Sequence, residues 1–544
     1  MSTLTRSTVS TTARSTFWQV NTTQLCDQIL AFVFASSLYA AVLYNTGTNS
    51  TVVAGVVGAL IVVGAIAWGY LSKAELRTTI VTVVFIVLVL WVFCYLREFS
   101  YDGLNYHVAT PMILDRALNG ISGAREPGGI FWAQHYPKAF EYFAYTAKVL
   151  TGYFNSGKSF TLLLSVPALF ALTRLLQTTG MSNRLALIAA ATGVYNPVAI
   201  GQVTSFYIDA AHYYCWAIFS VNLLFAIKRL PYSKVQLGGA LVLLVASKLT
   251  GPVFAAITIL VFVAGDFATG DRVNFVRRYR GIVGQLAIWS FVAVAIVGYS
   301  PYVQNVVAGE NVLYPVLGKH KVDVIGGKAS AHFLGLNPVH KLLLSYFSLP
   351  FNCSSCDEAE PVFAPSKARL RDAFIALHTT DTRFAGFGPF FGAMLIACLA
   401  SFFWRRPNAD VVKIYLLATM VLVLAHPQSW WARYVPMFYV VPCLVVAGFS
   451  SSRRLLQVVV ALGIANSTIA FASVGGYLFL KNGHYSKAVA SVRAMCGSRP
   501  VMLPPSPMNW EADLRDSGLA VAAKRDPANP DCPVNFDEMM VMKK

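Results

Sequence analysis

Residues Thr78–Leu96 (TTIVTVVFIVLVLWVFCYL) lead through Arg97 into Glu98–His107 (EFSYDGLNYH), and this junction decides how the chain is built. The first piece is apolar and long enough to cross the roughly 30 Å hydrocarbon core of a bilayer as a helix. The second places a carboxylate, an aromatic pair and a histidine just beyond its end. An acid at the mouth of a membrane span is costly unless it is paired, caps a helix or takes part in chemistry. Asp102 is therefore the first candidate functional residue.

Outward from this junction the composition agrees. Hydrophobic residues make up 56% of the 544 and charged residues only 12%, about half of what a soluble domain carries. Apolar runs of span length predict helices at roughly 25–44, 51–70, 78–96, 158–177, 184–201, 209–227, 235–248, 250–265, 281–299, 385–404, 412–426, 432–450 and 455–478. The expected fold is an all-α, polytopic transmembrane protein of about thirteen spans. Unbroken apolar runs argue against a membrane β-barrel, whose strands alternate.

The net charge of +18 suggests nucleic acid until its placement is considered. Basic residues gather in alternate connections: Lys73 and Arg77; Arg174 and Arg184; Lys228, Arg229 and Lys234; Arg272, Arg277, Arg278 and Arg280; Arg405 and Arg406; Arg453 and Arg454. That is the positive-inside pattern with a cytoplasmic N-terminus. The charge orients the protein, and no nucleic-acid partner is expected. Were the two short spans around Lys248 one kinked helix, the later loops would invert, but the later Arg pairs argue against it.

Three organisational parts follow: a cytoplasmic tail over 1–24, a membrane domain over 25–478 and a small outside appendage over 479–544. Outside loops are expected at 97–157 and 300–384. The first sixteen residues have no apolar core, so no cleavable signal peptide is expected. Cys353-Ser-Ser-Cys356 lies in the second outside loop, and Cys496 and Cys532 in the appendage. Disulfides or free thiols suit these pairs in an oxidising compartment, the tail pair stapling a small cap. Zinc suits them less, since no second ligand pair follows at zinc spacing.

The first outside loop is unlike a linker. Tyr106 to Leu118 reads as an amphipathic interfacial helix, Gly123–Gly129 as a break, and His135-Tyr-Pro-Lys138-Ala-Phe-Glu141 as the start of a second one with Pro137 near its first turn. Two such helices would roof a cavity at the outer membrane face.

The acid-Gly-x-x-Tyr-His segment at 102–107, followed by Tyr136-Pro-Lys138-x-x-Glu141, resembles the GT-C superfamily of polytopic glycosyltransferases. Protein O-mannosyltransferases and lipid A aminoarabinose transferases belong to that superfamily. Asn196-Pro to Gln202 leading into Tyr207-Ile-Asp209 is similar in order, as are Ser247-Lys248-Leu-Thr250-Gly251 and Pro301 to Asn305 with Gly309 to Pro315. Gly386-Phe-Gly388-Pro389-Phe390 and Trp431-Ala-Arg433-Tyr434 continue the series. The resemblance spans roughly residues 90 to 450. The chain departs from it by an extra N-terminal hairpin, a Cys-bearing tail and the lack of an Asn-Pro pair near Asn311.

The resemblance implies transfer of a sugar from a polyprenyl-phosphate donor to a glycolipid, polysaccharide or protein acceptor, at the outer face of a bacterial inner membrane. A phosphate leaving group needs no strong acid, so one base that activates the acceptor hydroxyl suffices for inverting displacement. Asp102 is the expected base and Glu141 a second carboxylate. Lys138, Lys248 and Arg433 are candidates for the phosphate. Tyr106, His107, Tyr136 and Asp209 are candidates for the substrate cavity. A divalent metal (Mg or Mn) would be held by Asp102, His107 and Glu141.

Each assignment has a structural competitor. Asp102 and Asp209 are placed to cap helices, His107 to pack against a cavity wall, Lys138 and Lys248 to snorkel, Glu141 to pair with Lys138, and Arg433 to anchor in lipid. A transporter or flippase of lipid-linked sugars is the rival function. Against it, the chain shows no internal repeat, and its acids cluster in an outer loop instead of at midmembrane. No P-loop, HExxH or GxSxG motif is present. Asn49-Ser-Thr51 and Asn352-Cys-Ser354 fit the N-glycosylation pattern, which is common by chance.

Overall fold

A computed structural model of the chain describes residues 21–46, 73–118, 130–269, 275–324, 326, 328–351, 367–379, 381–403, 410–450, 452–504, 506, 508–522 and 532–540. Among the described residues it is a helical protein with one small two-stranded sheet. Seven helices are long and apolar enough to cross a membrane: Thr22–Thr46, Leu76–Tyr95, Phe154–Gln177, Asp209–Ile227, Gly251–Ala268, Tyr279–Val297 and Arg453–Cys496. These match seven of the expected spans.

The expected span 51–70 lies outside the described residues. The other five runs form shorter helices, for reasons visible in the sequence. Asn196-Pro197 splits the 184–201 run into Asn183–Val194 and Pro197–Gln202, with the Asn196 side chain accepting from Ala199 N at 3.1 Å as an N-cap. Gly388, at φ +88°, and Pro389 hold the 385–404 run out of helix until Phe391–Leu399. Arg433 and Pro436 restrict the 432–450 run to 3₁₀ turns before Val441–Phe449. Lys234–Ser247 and Asp410–Ala425 are continuous but short. Lys248 sits in extended backbone between Lys234–Ser247 and Gly251–Thr269, which pack on each other as two helices and not as one kinked helix.

The core is centred on Asp209–Ile227, in which every residue is buried. It packs against Phe160–Gln177 on one side and Lys234–Ser247 on the other. Lipid tails are as apolar as leucine, so such helices are held by close packing more than by exclusion from water. Gly238 shows this: a Cβ there would collide with the indole of Trp289.

The expected 97–157 loop folds as a π-helical turn, Gly103–His107, then Ala109–Leu118, Ile130–His135 and Ala139–Thr151. The last of these is not surface-lying: Ala139 to Ala147 are all buried, against the Thr22–Thr46 helix. The expected break at Gly123–Gly129 lies outside the described residues.

The Arg453–Cys496 helix runs through the expected boundary at 478 without interruption. At 1.5 Å per residue its 44 residues span about 66 Å, twice the thickness of a hydrocarbon core. Its far end carries a cap closed by a Cys496–Cys532 disulfide and by parallel pairing of Val501–Met502 with Cys532–Pro533. Val492, Trp510, Leu514 and Phe536 form the cap's own core, together with Leu104 from the first loop. Cys353 and Cys356 lie outside the described residues.

Candidate active site

A cavity of about 690 Å³ opens at the bundle end where Lys73–Tyr95 stops and Asp209–Ile227 begins. Aromatic side chains (Tyr101, Tyr106, Trp132, Tyr136, Tyr207, Tyr434) wall it, and Asp102, Asp381 and Arg433 lie together in it. Arg433 Nη1 stands 3.1 Å from Asp102 Oδ2 and 3.3 Å from Asp381 Oδ1. Its guanidinium carbon also lies 5.1 Å from the centre of the Tyr207 ring and 4.9 Å from that of Trp431. A planar, permanently charged fork suits this combination of two carboxylates and aromatic faces.

Local backbone explains how Asp102 arrives there. The π turn brings Tyr106 onto the face of Asp102, where its hydroxyl donates to Asp102 Oδ2 at 3.4 Å. Single π turns recur at functional sites because they re-aim side chains. Gly103 makes the turn possible, since a Cβ there would collide with Ser100 Oγ and the Glu98 carboxyl group. Asp102 makes no side-chain capping bond, so the structure does not use it as a helix cap.

Burial pushes the Asp381 carboxyl up to about 6, against the opposing pull of Arg433. Burial works against the charge of Arg433, but Asp381, Asp209 and Asp102 outweigh it and hold its pKa well above the ordinary value. His378, another wall residue, is stacked on Tyr477 with ring centres 4.1 Å apart. Burial pulls its pKa down to about 4, so it is neutral near pH 7.

The other expected residues lie behind this wall. His107, one residue past Tyr106, turns into the protein, and its Nδ1 meets Glu141 Oε1 at 2.6 Å; both are buried, and neither lines the cavity. The expected metal set is therefore not assembled: Asp102 is on Arg433 while His107 and Glu141 pair with each other. Among the described residues no three His, Cys, Asp or Glu side chains come together as ligands. No step below is routed through a metal.

Lys138 spends its ammonium on Gln134 O (2.9 Å), Tyr136 O (2.8 Å) and Ser300 Oγ (2.9 Å), which leaves it no proton for a phosphate in this arrangement. The expected pairing of Lys138 with Glu141 is replaced by these contacts. Asp209 is ion-paired with Lys248 and accepts from Gln202 Nε2 at 3.0 Å, one layer below the cavity floor. Lys248 Nζ also lies 4.5 Å from the centre of the Tyr434 ring, a wall residue. Thus Asp102, Tyr106, Tyr136 and Arg433 face the cavity, whereas Glu141, His107, Lys138, Asp209 and Lys248 do not.

Sequence reasoning missed Asp381, Glu98 and the aromatic wall residues Trp132, Tyr207 and Tyr434. One signal for Asp381 was present: an acid beside Arg383, at the edge of an apolar run, as Asp102 is. Glu98 lines the cavity but is consumed locally, accepting from Ser100 N (2.8 Å) and Phe206 N (2.8 Å).

The sequence matches no described protein family and no curated protein. Two solved structures show similarity to the chain. The crystal structure of ArnT from Cupriavidus metallidurans bound to undecaprenyl phosphate is 11% identical, at a TM-score of 0.44, over 84% of this chain and 90% of that one. The apo crystal structure of the same protein is 13% identical, at a TM-score of 0.34, over 86% and 90% of the two chains.

Proposed function

We propose that the protein is a membrane glycosyltransferase of the GT-C kind, moving a sugar from a polyprenyl-phosphate donor to an acceptor hydroxyl. The convergence of Asp102 and Asp381 on Arg433 in a large aromatic-walled cavity at the end of apolar helices carries this reading. Such a cavity offers a lipid-borne donor and a water-borne acceptor a common meeting place. Its aromatic faces suit the apolar faces of sugar rings.

In the proposed reaction the acceptor oxygen attacks the anomeric carbon and gives its proton to Asp102. The bond from that carbon to the phosphate oxygen breaks, and the polyprenyl phosphate leaves with the electron pair. The sugar is inverted. Arg433 faces the charge that grows on the leaving phosphate, and the Lys248–Asp209 pair sits behind it. Tyr106 orients Asp102. A neutral leaving-group acid is unnecessary because the phosphate dianion is already a good leaving group.

The raised pKa of Asp381 supports a second assignment within the same reaction, in which Asp381 is the base and Asp102 holds Arg433. The site would face the periplasm of a bacterial inner membrane, and the acceptor would be a glycolipid, a polysaccharide or a protein. The test is transfer from a panel of labelled polyprenyl-phosphate sugars by purified wild type, Asp102→Asn and Asp381→Asn. Loss in Asp102→Asn supports the first assignment, and loss confined to Asp381→Asn the second. Absence of transfer by wild type from every donor would reject the function and make lipid-linked sugar transport the next assay.

A further inference from the structure

The cap beyond residue 496 does more than cover the end of the bundle, because it is bonded to the segment that carries Asp102. Leu104, two residues past Asp102, is inserted into the cap's apolar core and is 2% exposed. Asn509 N donates to Leu104 O at 2.7 Å, and the Asn509 side-chain amide donates to Asn105 O. Asp513 accepts from Asn155 Nδ2 at 2.7 Å and faces Glu98 N at 3.5 Å.

Asp516 accepts from Phe154 N (2.9 Å), Asn155 N (2.9 Å) and Asn155 Nδ2 (2.8 Å), and Arg97 lies 4.0 Å away. Arg116 and Glu511 form a further ion pair at the edge. One short stretch of the cap therefore reaches Leu104 and Asn105 through Asn509, Glu98 through Asp513, and the neighbouring Arg97 and Phe154–Asn155 through Asp516. Neither Asn509, Asp513 nor Asp516 lines the cavity.

We propose that the cap is a positioning element: Asn509 and Asp513 fix the 98–107 segment so that Asp102 meets Arg433, while Asp516 holds the adjoining Arg97 and Phe154–Asn155. The proposal rests on the transferase reading above. A carboxylate that must receive a proton from an oxygen within hydrogen-bond reach tolerates little displacement, so an ordered turn matters for turnover more than for donor binding.

The test compares full-length Asn509→Ala and Asp513→Ala with Asp537→Asn. Asp537 accepts from Trp510 Nε1 at 2.7 Å inside the cap and touches nothing in the 98–107 segment, so its variant reports on general loosening. Two readouts are taken, amide hydrogen exchange over 98–107 and steady-state transfer.

We expect exchange in Asn509→Ala and Asp513→Ala to rise about tenfold, kcat to fall about 10–30-fold and donor KM to stay within about threefold, with Asp537→Asn near wild type. Unchanged exchange or unchanged kcat in the two gripping variants overturns the proposal. An equal loss in Asp537→Asn also overturns it, since cap stability alone would then explain the effect. If wild type transfers nothing, the transferase reading falls, and the exchange readout alone decides whether the cap orders the segment.

Discussion

Asp102 and Asp381 share one nitrogen, Nη1 of Arg433, at 3.1 and 3.3 Å. The two acids come from segments far apart in sequence, so the guanidinium ties the first outside loop to the stretch ahead of Phe391–Leu399. Removing it leaves two half-buried carboxylates facing each other without a cation, which is among the more costly changes a buried ionic cluster can suffer.

Arg433→Met is therefore expected to lower transfer by about a thousandfold. Arg433→Lys should recover little of it, because a single ammonium cannot serve two carboxylates and three aromatic faces in the same plane. Single-turnover transfer rates on purified variants check both.

The Asp381 carboxyl, raised to about 6 by burial, gives a pH signature. Its native-state pKa lies above the ordinary value of 3.8, so the folded protein holds the proton more tightly than the unfolded chain. This contribution to stability is full below 3.8 and is lost as pH rises through about 6. Asp381→Asn mimics the protonated form. Its thermal midpoint should match wild type near pH 4 and exceed it near pH 7.5. In kcat/KM against pH, the wild-type acid limb near pH 6 should give way in Asp381→Asn to a flat profile at the low-pH level, since Asn fixes the form that limb leads to.

Glu141→Gln should be mild where Asp102→Asn is severe. Glu141 is buried on His107, away from the cavity, and Gln keeps an oxygen that can accept from Nδ1. We expect transfer within about fivefold of wild type for Glu141→Gln and a loss of about a thousandfold for Asp102→Asn. Equal losses in the two would show that Glu141 reaches the reacting groups.

Gly103→Ala adds only one methyl group, but that methyl would enter the space of Ser100 Oγ and the Glu98 carboxyl. The turn must then shift, and Asp102 with it. Transfer should fall about 10–100-fold while the thermal midpoint drops by only a few degrees.

Cys496 and Cys532 are 36 residues apart, and closing a loop of that length is worth about 3–4 kcal/mol in the chain-entropy account. Cys496→Ser/Cys532→Ser should leave the membrane helices intact and make the cap at least about tenfold more sensitive to limited proteolysis. Fragment mass after a timed digest reads this directly.

Much of the membrane domain was legible because hydropathy and basic loops are local signals. The spans that failed to reach full length did so at Asn196-Pro197, Gly388-Pro389 and Pro436, where an apolar run conceals a break that hydropathy averages away. In the site, Asp102, Tyr106, Tyr136 and Arg433 could be picked from short motifs. The split between Tyr106 and His107 could not, since it depends on a π turn and not on spacing. Asp381 escaped because it lies just ahead of the Gly386–Phe390 motif, and its one signal, an acid beside Arg383 at the edge of an apolar run, is weak on its own. The sequence left Cys496 and Cys532 open as a disulfide or as free thiols, and the structure pairs them. The grip of Asn509 and Asp516 on the first loop had no local trace, because such distant contacts leave no pattern in either partner.

The separation between Glu98 and Asp513, 415 positions along the chain, bears on biosynthesis. During translation the first loop emerges early and waits while every later helix is inserted. Only when residues 509–516 follow can the turn bearing Asp102 receive its final contacts. A product stopped short of that stretch would carry the complete bundle, with Arg433 already in place, and yet lack an ordered Asp102 segment. Under the proposed reaction, half-made copies of the protein would therefore stay inactive.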